Sequence, residues 1–310
     1  MRKILVTGGA GFIGGHLVDR LIKQGHQVIV VDNLSTGKRE NLNPKAKFYK
    51  TDICSPKISQ IFKKEKPEVV YHYAAQIDVR KSVEDPVGDA KINILGSLNI
   101  LENCCRFGTK KFVFASSGGA IYGDTDFIPT PETHPVRPES PYGMAKLLIE
   151  QYLEFYKKTY GLDYISLRYA NIYGPRQNSK GEAGVIAIFT DKLLHGKVPT
   201  IFGDGTQTRD YVYVDDAVEA ALKTLVWEGL SDPIFNVGTG IETSVNALYH
   251  LISQKIGKNI KPNFTSERAG DLKRSCLASF KIKKELNWQP KYSLEEGLDE
   301  TIKWFRNEPN

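Results

Sequence analysis

A cluster of glycines joins the first apolar strand of this chain to its first helix, and that junction limits the folds open to it. Lys3-Ile4-Leu5-Val6-Thr7 runs into Gly8-Gly9-Ala10-Gly11-Phe12-Ile13-Gly14, which satisfies GxGxxG from Gly9 and also the wider spacing Gly8, Gly11, Gly14. Either spacing alone is weak. With a strand before it and a helical pattern from Phe12 to Lys23 after it, the glycines acquire a purpose. They turn the backbone tightly and let a pyrophosphate approach the positive end of the helix.

The rest of the chain repeats that strand-helix rhythm. Lys3 to Thr7, Gln27 to Val31, Phe48 to Asp52, Val69 to Ala74, Phe112 to Ser116 and Ile165 to Arg168 read as short β-branched strands, with helix-length segments between them. Near-continuous apolar strands imply a sheet buried on both faces, so the expected class is α/β, a doubly wound parallel Rossmann sheet. After Arg168 the rhythm changes. A Gly, Pro and polar stretch from Asn171 to Gly184 leads to a helix over Val185 to His195 and a turn-rich segment over Val198 to Asp210. Tyr211 to Val214 and Ile234 to Val237 read as strands that rejoin the sheet, with Asp215-Asp216 capping a helix that runs to Trp227. The expected division is a dinucleotide-binding domain, 1–170 plus about 211–238, and a smaller mixed α/β substrate domain, about 171–210 plus 239–310. The tail adds helical patterns at Val245 to Ile256, Phe280 to Leu286 and Leu294 to Phe305.

Composition narrows the function classes. The 310 residues carry a net charge of +6, but Lys and Arg are scattered among apolar and acidic neighbours, so neither a nucleic-acid nor a membrane partner is expected. Four cysteines (Cys54, Cys104, Cys105, Cys276) without a CxxC pair suggest free thiols and a cytoplasmic setting. The apolar run after Met1-Arg2-Lys3 is too short for a signal peptide. Six histidines lack metal-ligand spacing, so no metal is expected. His72 reads as a packed strand-end residue.

Two further features carry chemistry. Asp32 ends the second strand 18 residues past Gly14, where a carboxylate accepts hydrogen bonds from an adenosine ribose and repels a 2′-phosphate. NAD is therefore favoured over NADP, with Lys38 and Arg39 close enough to compensate. Tyr142-Gly143-Met144-Ala145-Lys146 then sets a Tyr and a Lys one helical turn apart on one face. An ammonium beside a phenol favours the phenolate, as does a positive nicotinamide ring, which suits Tyr142 to proton transfer near neutral pH.

These motifs together resemble the extended short-chain dehydrogenase/reductases and, within them, the UDP-glucose 4-epimerases and their nucleotide-sugar relatives. The likeness covers essentially the whole chain: the glycine loop, Asp32 to Gly37, Asp52-Ile53, His72 to Ala75, Asn93, Ser116 to Gly123, Tyr142 to Lys146, Leu167 to Asn171, Gly203 to Tyr211, and Arg268-Ala269-Gly270-Asp271. The resemblance implies that NAD is held by Gly8, Gly11, Phe12, Ile13, Gly14, Asp32, Asn33, Ser35, Thr36, Gly37, Asp52, Ile53, Tyr73, Ala74, Ala75, Asn93 and Ser116, with Tyr142 and Lys146. It implies substrate contacts from Ser117, Tyr142, Asn171, Val185, Ile201, Phe202, Arg209, Arg268, Asp271 and Ser275, the two arginines taking the diphosphate as permanently charged, bidentate donors. A homodimer through the helices Ala90 to Arg106 and Tyr142 to Tyr160 also follows from it.

One position departs from the pattern. Family members carry a Ser or Thr two places beyond Ser116, where its hydroxyl relays the sugar's proton to the tyrosine; here that place is Gly118. The expectation is that Ser117, or direct contact of the sugar with Tyr142, replaces the relay, which makes Ser117 the third catalytic candidate. The same stretch, Gly118-Gly119-Ala120, lacks the acidic residues of the related dehydratases and decarboxylases, leaving hydride and proton transfer at C4. The expected reaction is UDP-glucose to UDP-galactose through a transient 4-keto sugar. Ser275, small at a place where a bulky residue excludes N-acetyl groups, extends it to UDP-N-acetylglucosamine and UDP-N-acetylgalactosamine. The alternatives are a UDP-glucuronate 4-epimerase and a non-catalytic regulator that binds NAD and a nucleotide sugar.

Overall fold

The computed structural model describes residues 1–179, 184–226, 230–268 and 271–307. Its strands, in chain order, are β1 (Lys3–Thr7), β2 (Gln27–Asp32), β3 (Lys47–Lys50), β4 (Val69–His72), β5 (Lys111–Ser117), β6 (Asp163–Tyr169), β7 (Asn171–Tyr173), β8 (Thr200–Phe202), β9 (Thr208–Arg209), β10 (Tyr211–Tyr213), β11 (Ile234–Val237), β12 (Thr243–Ser244), β13 (Asn263–Thr265) and β14 (Arg274–Ser275). Its helices are α1 (Phe12–Lys23), α2 (Lys57–Glu65), α3 (Val79–Glu84), α4 (Pro86–Ala90), α5 (Ser97–Phe107), α6 (Gly118–Tyr122), α7 (Pro141–Tyr160), α8 (Val185–Leu194), α9 (Val214–Lys223), α10 (Val245–Ile256), α11 (Phe280–Leu286) and α12 (Leu294–Asn307).

Seven of the strands form one parallel sheet in the order β11-β6-β5-β4-β1-β2-β3. The apolar strands are explained by alternation. Ile4 and Val6 of β1 pack on one face with α1 and α9, while Leu5 between them packs on the other with α2, α5 and α7. Both faces are covered, as a parallel sheet requires. The doubly wound class read from the sequence is the one observed.

The strand order reverses between β1 and β4. The chain builds outward from β1 to β2 and β3, then returns to lay β4 against the other side of β1, so the connections after β1 and β4 lead away in opposite directions at the sheet's carboxyl edge. Such a switch point opens the crevice in which doubly wound folds bind ligands.

Two expectations after residue 170 need correction. β11 does rejoin the sheet, beside β6, but Tyr211–Tyr213 does not; β10 pairs in parallel with β7 as a separate two-stranded unit. The Asp215-Asp216 pair lies within the first turn of α9, whose cap position is Tyr213. Asp216 is instead buried, its two oxygens accepting from Lys291 N and Tyr292 N at 2.9 and 3.0 Å, so it secures the approach to α12. Trp227, where that helix was expected to end, lies outside the described residues. A second small sheet joins β9 to β12 and β14, and a third joins β8 to β13.

Candidate active site

At the switch point, backbone atoms decide where side chains are forbidden. Gly8 has φ of 70°, and a Cβ on it would stand 2.7 Å from the Ala74 nitrogen in the loop after β4, which packs directly against it. A Cβ on Gly14 would overlap the Gly8 carbonyl oxygen. The first turn of α1 begins at Gly11, with no side chain capping its N–H groups and no acidic residue in the turn. Its positive end is left for an anion.

Asp32 ties the second strand to this loop. Its Oδ2 accepts from Ala10 N at 3.0 Å and its Oδ1 from Leu34 N at 2.8 Å, which leaves lone pairs for a ribose. Exposed Ser35 and Thr36 lead to Gly37, where a Cβ would lie 3.0 Å from both Ala10 and Asp32 Oδ1. Asn33 donates to Asp52 Oδ2 at 2.8 Å, and buried Ile53 packs under Gly96. The adenosine-side candidates thus surround one rim.

Across the crevice, the loop Tyr73-Ala74-Ala75 is braced from behind. The helical run from α4 to α5 contains a π-helical stretch at Lys91–Gly96, a kind of bulge common at functional sites. It presents Asn93, whose Nδ2 donates to Gln76 O at 2.9 Å and Asp89 Oδ1 at 2.8 Å while its Oδ1 accepts from Gln76 N at 2.9 Å. Asn93 therefore holds the loop's shape. Behind it, burial pushes the His72 imidazole down to about 3, so the ring is neutral; it contacts Thr7 Oγ1 at 2.8 Å and Ser97 Oγ at 2.9 Å. The packed role read for His72 is the one observed. Tyr73 meets Tyr169 through their hydroxyls at 2.6 Å.

Three of the predicted catalytic groups converge at the end of β5. Ser140 caps α7 by accepting from Gly143 N at 3.1 Å, and Ser82 of α3 accepts from Tyr142 N at 3.2 Å, so the helix starts at a fixed height. Lys146 is 5% exposed; its Nζ donates to Ala115 O at 2.7 Å and lies 5.6 Å from the centre of the Tyr142 ring. Burial lowers the Lys146 ammonium to about 8, against the opposing pull of Asp89 and Glu150. Burial likewise raises the Tyr142 phenol to about 12, opposed by a hydrogen bond from Ser117. Next to Ser117 in β5, the buried Ser116 Oγ has no hydrogen-bond partner among the described residues.

The glycine cradle, the uncapped helix end, the Asp32 carboxylate and the orphaned Ser116 hydroxyl fit a dinucleotide. Among the described residues no group of His, Cys, Asp and Glu could hold a metal ion, and no helix is long and apolar enough to cross a membrane.

The substrate-side candidates are spread over the short strands. Arg209 ends β9, with its Nη1 on Thr208 O at 2.8 Å. The Arg268 guanidinium stacks 3.4 Å above the Phe202 ring, a geometry that holds the cation in place. Ser275 is buried in β14 and faces Gly119, whose Cβ would lie 2.9 Å from the serine hydroxyl. Asn171 is exposed in β7, Val185 opens α8, and Asp271 is exposed beside Arg268, its N–H donating to Arg268 O at 3.2 Å. Ile201 differs: it is 1% exposed and belongs to the apolar core. Ala269 and Gly270 of the Arg-x-Gly-Asp motif lie outside the described residues.

Three residues at this site escaped the sequence reading. Ser82 and Asp89 are ordinary polar residues in helical stretches, without a motif to mark them. Leu277 looks like any core leucine, yet it fills the space beside Gly118.

Comparison with known proteins agrees with this geometry. Residues 4–238 match the NAD dependent epimerase/dehydratase family. The chain is 45% identical over 310 residues to the UDP-glucose 4-epimerase of Mycolicibacterium smegmatis, covering 98% of this chain and 99% of that one. A crystal structure of the Thermotoga maritima UDP-glucose 4-epimerase with UDP-glucose superposes with a TM-score of 0.96 at 53% identity, covering 98% of each chain. The Thermus thermophilus UDP-glucose 4-epimerase in complex with NAD gives 0.93 at 44% identity, over 98% of this chain and 99% of that one. With a match over most of its length and relatives this similar end to end, the chain belongs to the NAD dependent epimerase/dehydratase family.

Proposed function

We propose that the protein is a UDP-hexose 4-epimerase with NAD as a tightly held prosthetic group, interconverting UDP-glucose and UDP-galactose and also accepting the N-acetylated pair. The observation that carries this reading is the convergence of Tyr142, Lys146 and Ser117 beside the orphaned Ser116 hydroxyl. NAD, when bound, supplies the hydride acceptor and donor for C4. The chain supplies the rest. Tyr142, as phenolate, takes the proton of the C4 hydroxyl directly or through Ser117 and returns it after the 4-keto sugar has turned its other face. The Lys146 ammonium favours that phenolate, and a positive nicotinamide adds to the effect. Arg209 and Arg268 hold the diphosphate, with Asn171, Val185, Phe202 and Asp271 around the uridyl group and the backbone of Ile201 alongside.

The cofactor contacts read from the sequence belong to the same proposal, Asn93 acting through the loop it braces. So do the two-domain division, with 1–170 and about 211–238 on the cofactor side, and a homodimer through the helices Ala90 to Arg106 and Tyr142 to Tyr160. Leu95 and Phe155, one on each of these segments, are large apolar side chains left 60% and 49% exposed, which supports pairing there. Ser275 and Gly119, both small, face each other where a 2-substituent would lie, which supports the N-acetylated sugars.

The test is C4 epimerisation of UDP-glucose, UDP-N-acetylglucosamine and UDP-glucuronate, followed by NMR with no cofactor added. Conversion of the first two is expected. Conversion of UDP-glucuronate alone would replace the substrate, and binding of NAD and UDP-sugar without conversion of any, even with NAD supplied, would favour the regulator.

A further inference from the structure

Gly118 is buried at the mouth of the site, immediately after Ser117, and the structure explains its lack of a side chain. A Cβ there would stand 2.7 Å from Leu277 Cδ2 and closer still to Cδ1. Methyl groups at the end of a leucine ordinarily swing aside. Leu277 is enclosed, at 1% exposed, and its backbone is held on three sides, so only its side chain could give way. Its N–H donates to Asp210 Oδ2 at 3.2 Å; Thr130 brackets it, donating to Cys276 O and accepting from Ala278 N, both at 2.9 Å; and a Cβ on Gly238 would lie 2.8 Å from Leu277 Cβ. Asp210 itself is anchored by Thr239 N and Gly240 N.

We propose that Leu277 and Gly118 are a size-matched pair that determines which residue gives its hydroxyl to Tyr142. Leu277 occupies the volume a residue-118 side chain would need, so the hydroxyl must come from the strand end one residue earlier, at Ser117. Leu277 touches neither phenol nor proton in this arrangement; it is a positioning residue acting through the backbone at 118. The inference rests on the proposed role of Ser117. It also makes a claim of its own, that Leu277 closes the volume at 118.

The experiment is a cycle in the full chain, with NMR-monitored epimerisation of UDP-glucose and thermal melting read on every variant. Gly118→Ser alone is expected to lower Tm, and Gly118→Ser with Leu277→Ala to melt above Leu277→Ala by itself. In the parent, Ser117→Ala is expected to reduce kcat about 10²-fold, the scale of a lost proton-transfer partner, with little change in KM. In the Gly118→Ser, Leu277→Ala background the same change is expected to cost no more than about a tenth of that, because the introduced hydroxyl now stands where it can serve the phenol. An unchanged Tm for Gly118→Ser would overturn the pairing. An equal Ser117→Ala loss in both backgrounds would overturn the relocation of the hydroxyl. Full activity of Ser117→Ala in the parent would instead sink the Ser117 reading and leave the pairing to stand or fall on the Tm values. Should the double variant not fold, Gly118→Ala with Leu277→Val carries the same Tm test.

Discussion

The two rims of the crevice exclude side chains by different means. On the cofactor rim, Gly8 and Gly14 face backbone atoms, the Ala74 nitrogen and the Gly8 carbonyl, which cannot move without unmaking the sheet. On the substrate rim, Gly118 faces the methyl groups of Leu277, which arrive from far along the chain and could be trimmed. The first kind of exclusion is a property of a local turn and repeats wherever the turn does. The second is a property of a particular pair and can be traded for another.

The largest effect should come from the group both rims serve. Tyr142→Phe removes the phenol and nothing else, and kcat for epimerisation is expected to fall by about 10²–10⁴-fold while UDP-sugar and NAD still bind. Turnover within a few-fold of the parent would mean that the rims hold ligands for some purpose other than proton transfer at Tyr142.

The next effect tests the comparison itself. Gly14→Ala drives a methyl group into the Gly8 carbonyl, and since the obstacle is backbone, the turn must distort, at a cost of about 1–3 kcal/mol in stability together with loss of copurifying NAD. Melting curves and the nucleotide content of the purified protein measure both. No side-chain substitution nearby should rescue it, in contrast to the Gly118 and Leu277 pair. A rescue by trimming any neighbour would erase the distinction between the rims.

This difference also sets what the sequence could reveal. The glycine spacing, Asp32 at the end of β2 and the one-turn separation of Tyr142 and Lys146 are local patterns, and local geometry fixes their meaning, so the cofactor rim and the parallel sheet were legible. The partner of Gly118 was not, because nothing near residue 118 announces a leucine in the tail. Asp216 misled for a related reason. An acidic pair before a helical run reads as a cap, and only the return of the Lys291–Tyr292 segment shows that its carboxylate serves a tertiary contact. Asp89 was silent too, since its function depends on three elements meeting.

Asp89 gives the subtlest prediction. It lies buried between the loop it helps brace and α7, with Oδ1 accepting from Gln76 Nε2 at 3.0 Å and Asn93 Nδ2 at 2.8 Å, and Oδ2 enclosed without a partner among the described residues. Its negative charge raises the proton affinity of both Lys146 and Tyr142. Burial works against Lys146, which sits at about 8, and with Asp89 on Tyr142, at about 12; of the other nearby groups, Glu150 also supports the ammonium and His72 is neutral. Asp89→Asn keeps an oxygen for the two donors but removes the charge. Lys146 then loses its proton at lower pH, so the alkaline limb of the kcat profile, where the ammonium ceases to support the phenolate, moves toward acid. Tyr142 ionises more easily as well, since Asp89 no longer opposes the phenolate. That alkaline limb, followed between about pH 6 and 10, should slide toward acid with a modest change in the maximum. A uniform drop with that limb in place would mean that Asp89 braces the loop and does nothing electrostatic for the pair, and the cofactor rim would then be joined to the chemistry through geometry alone.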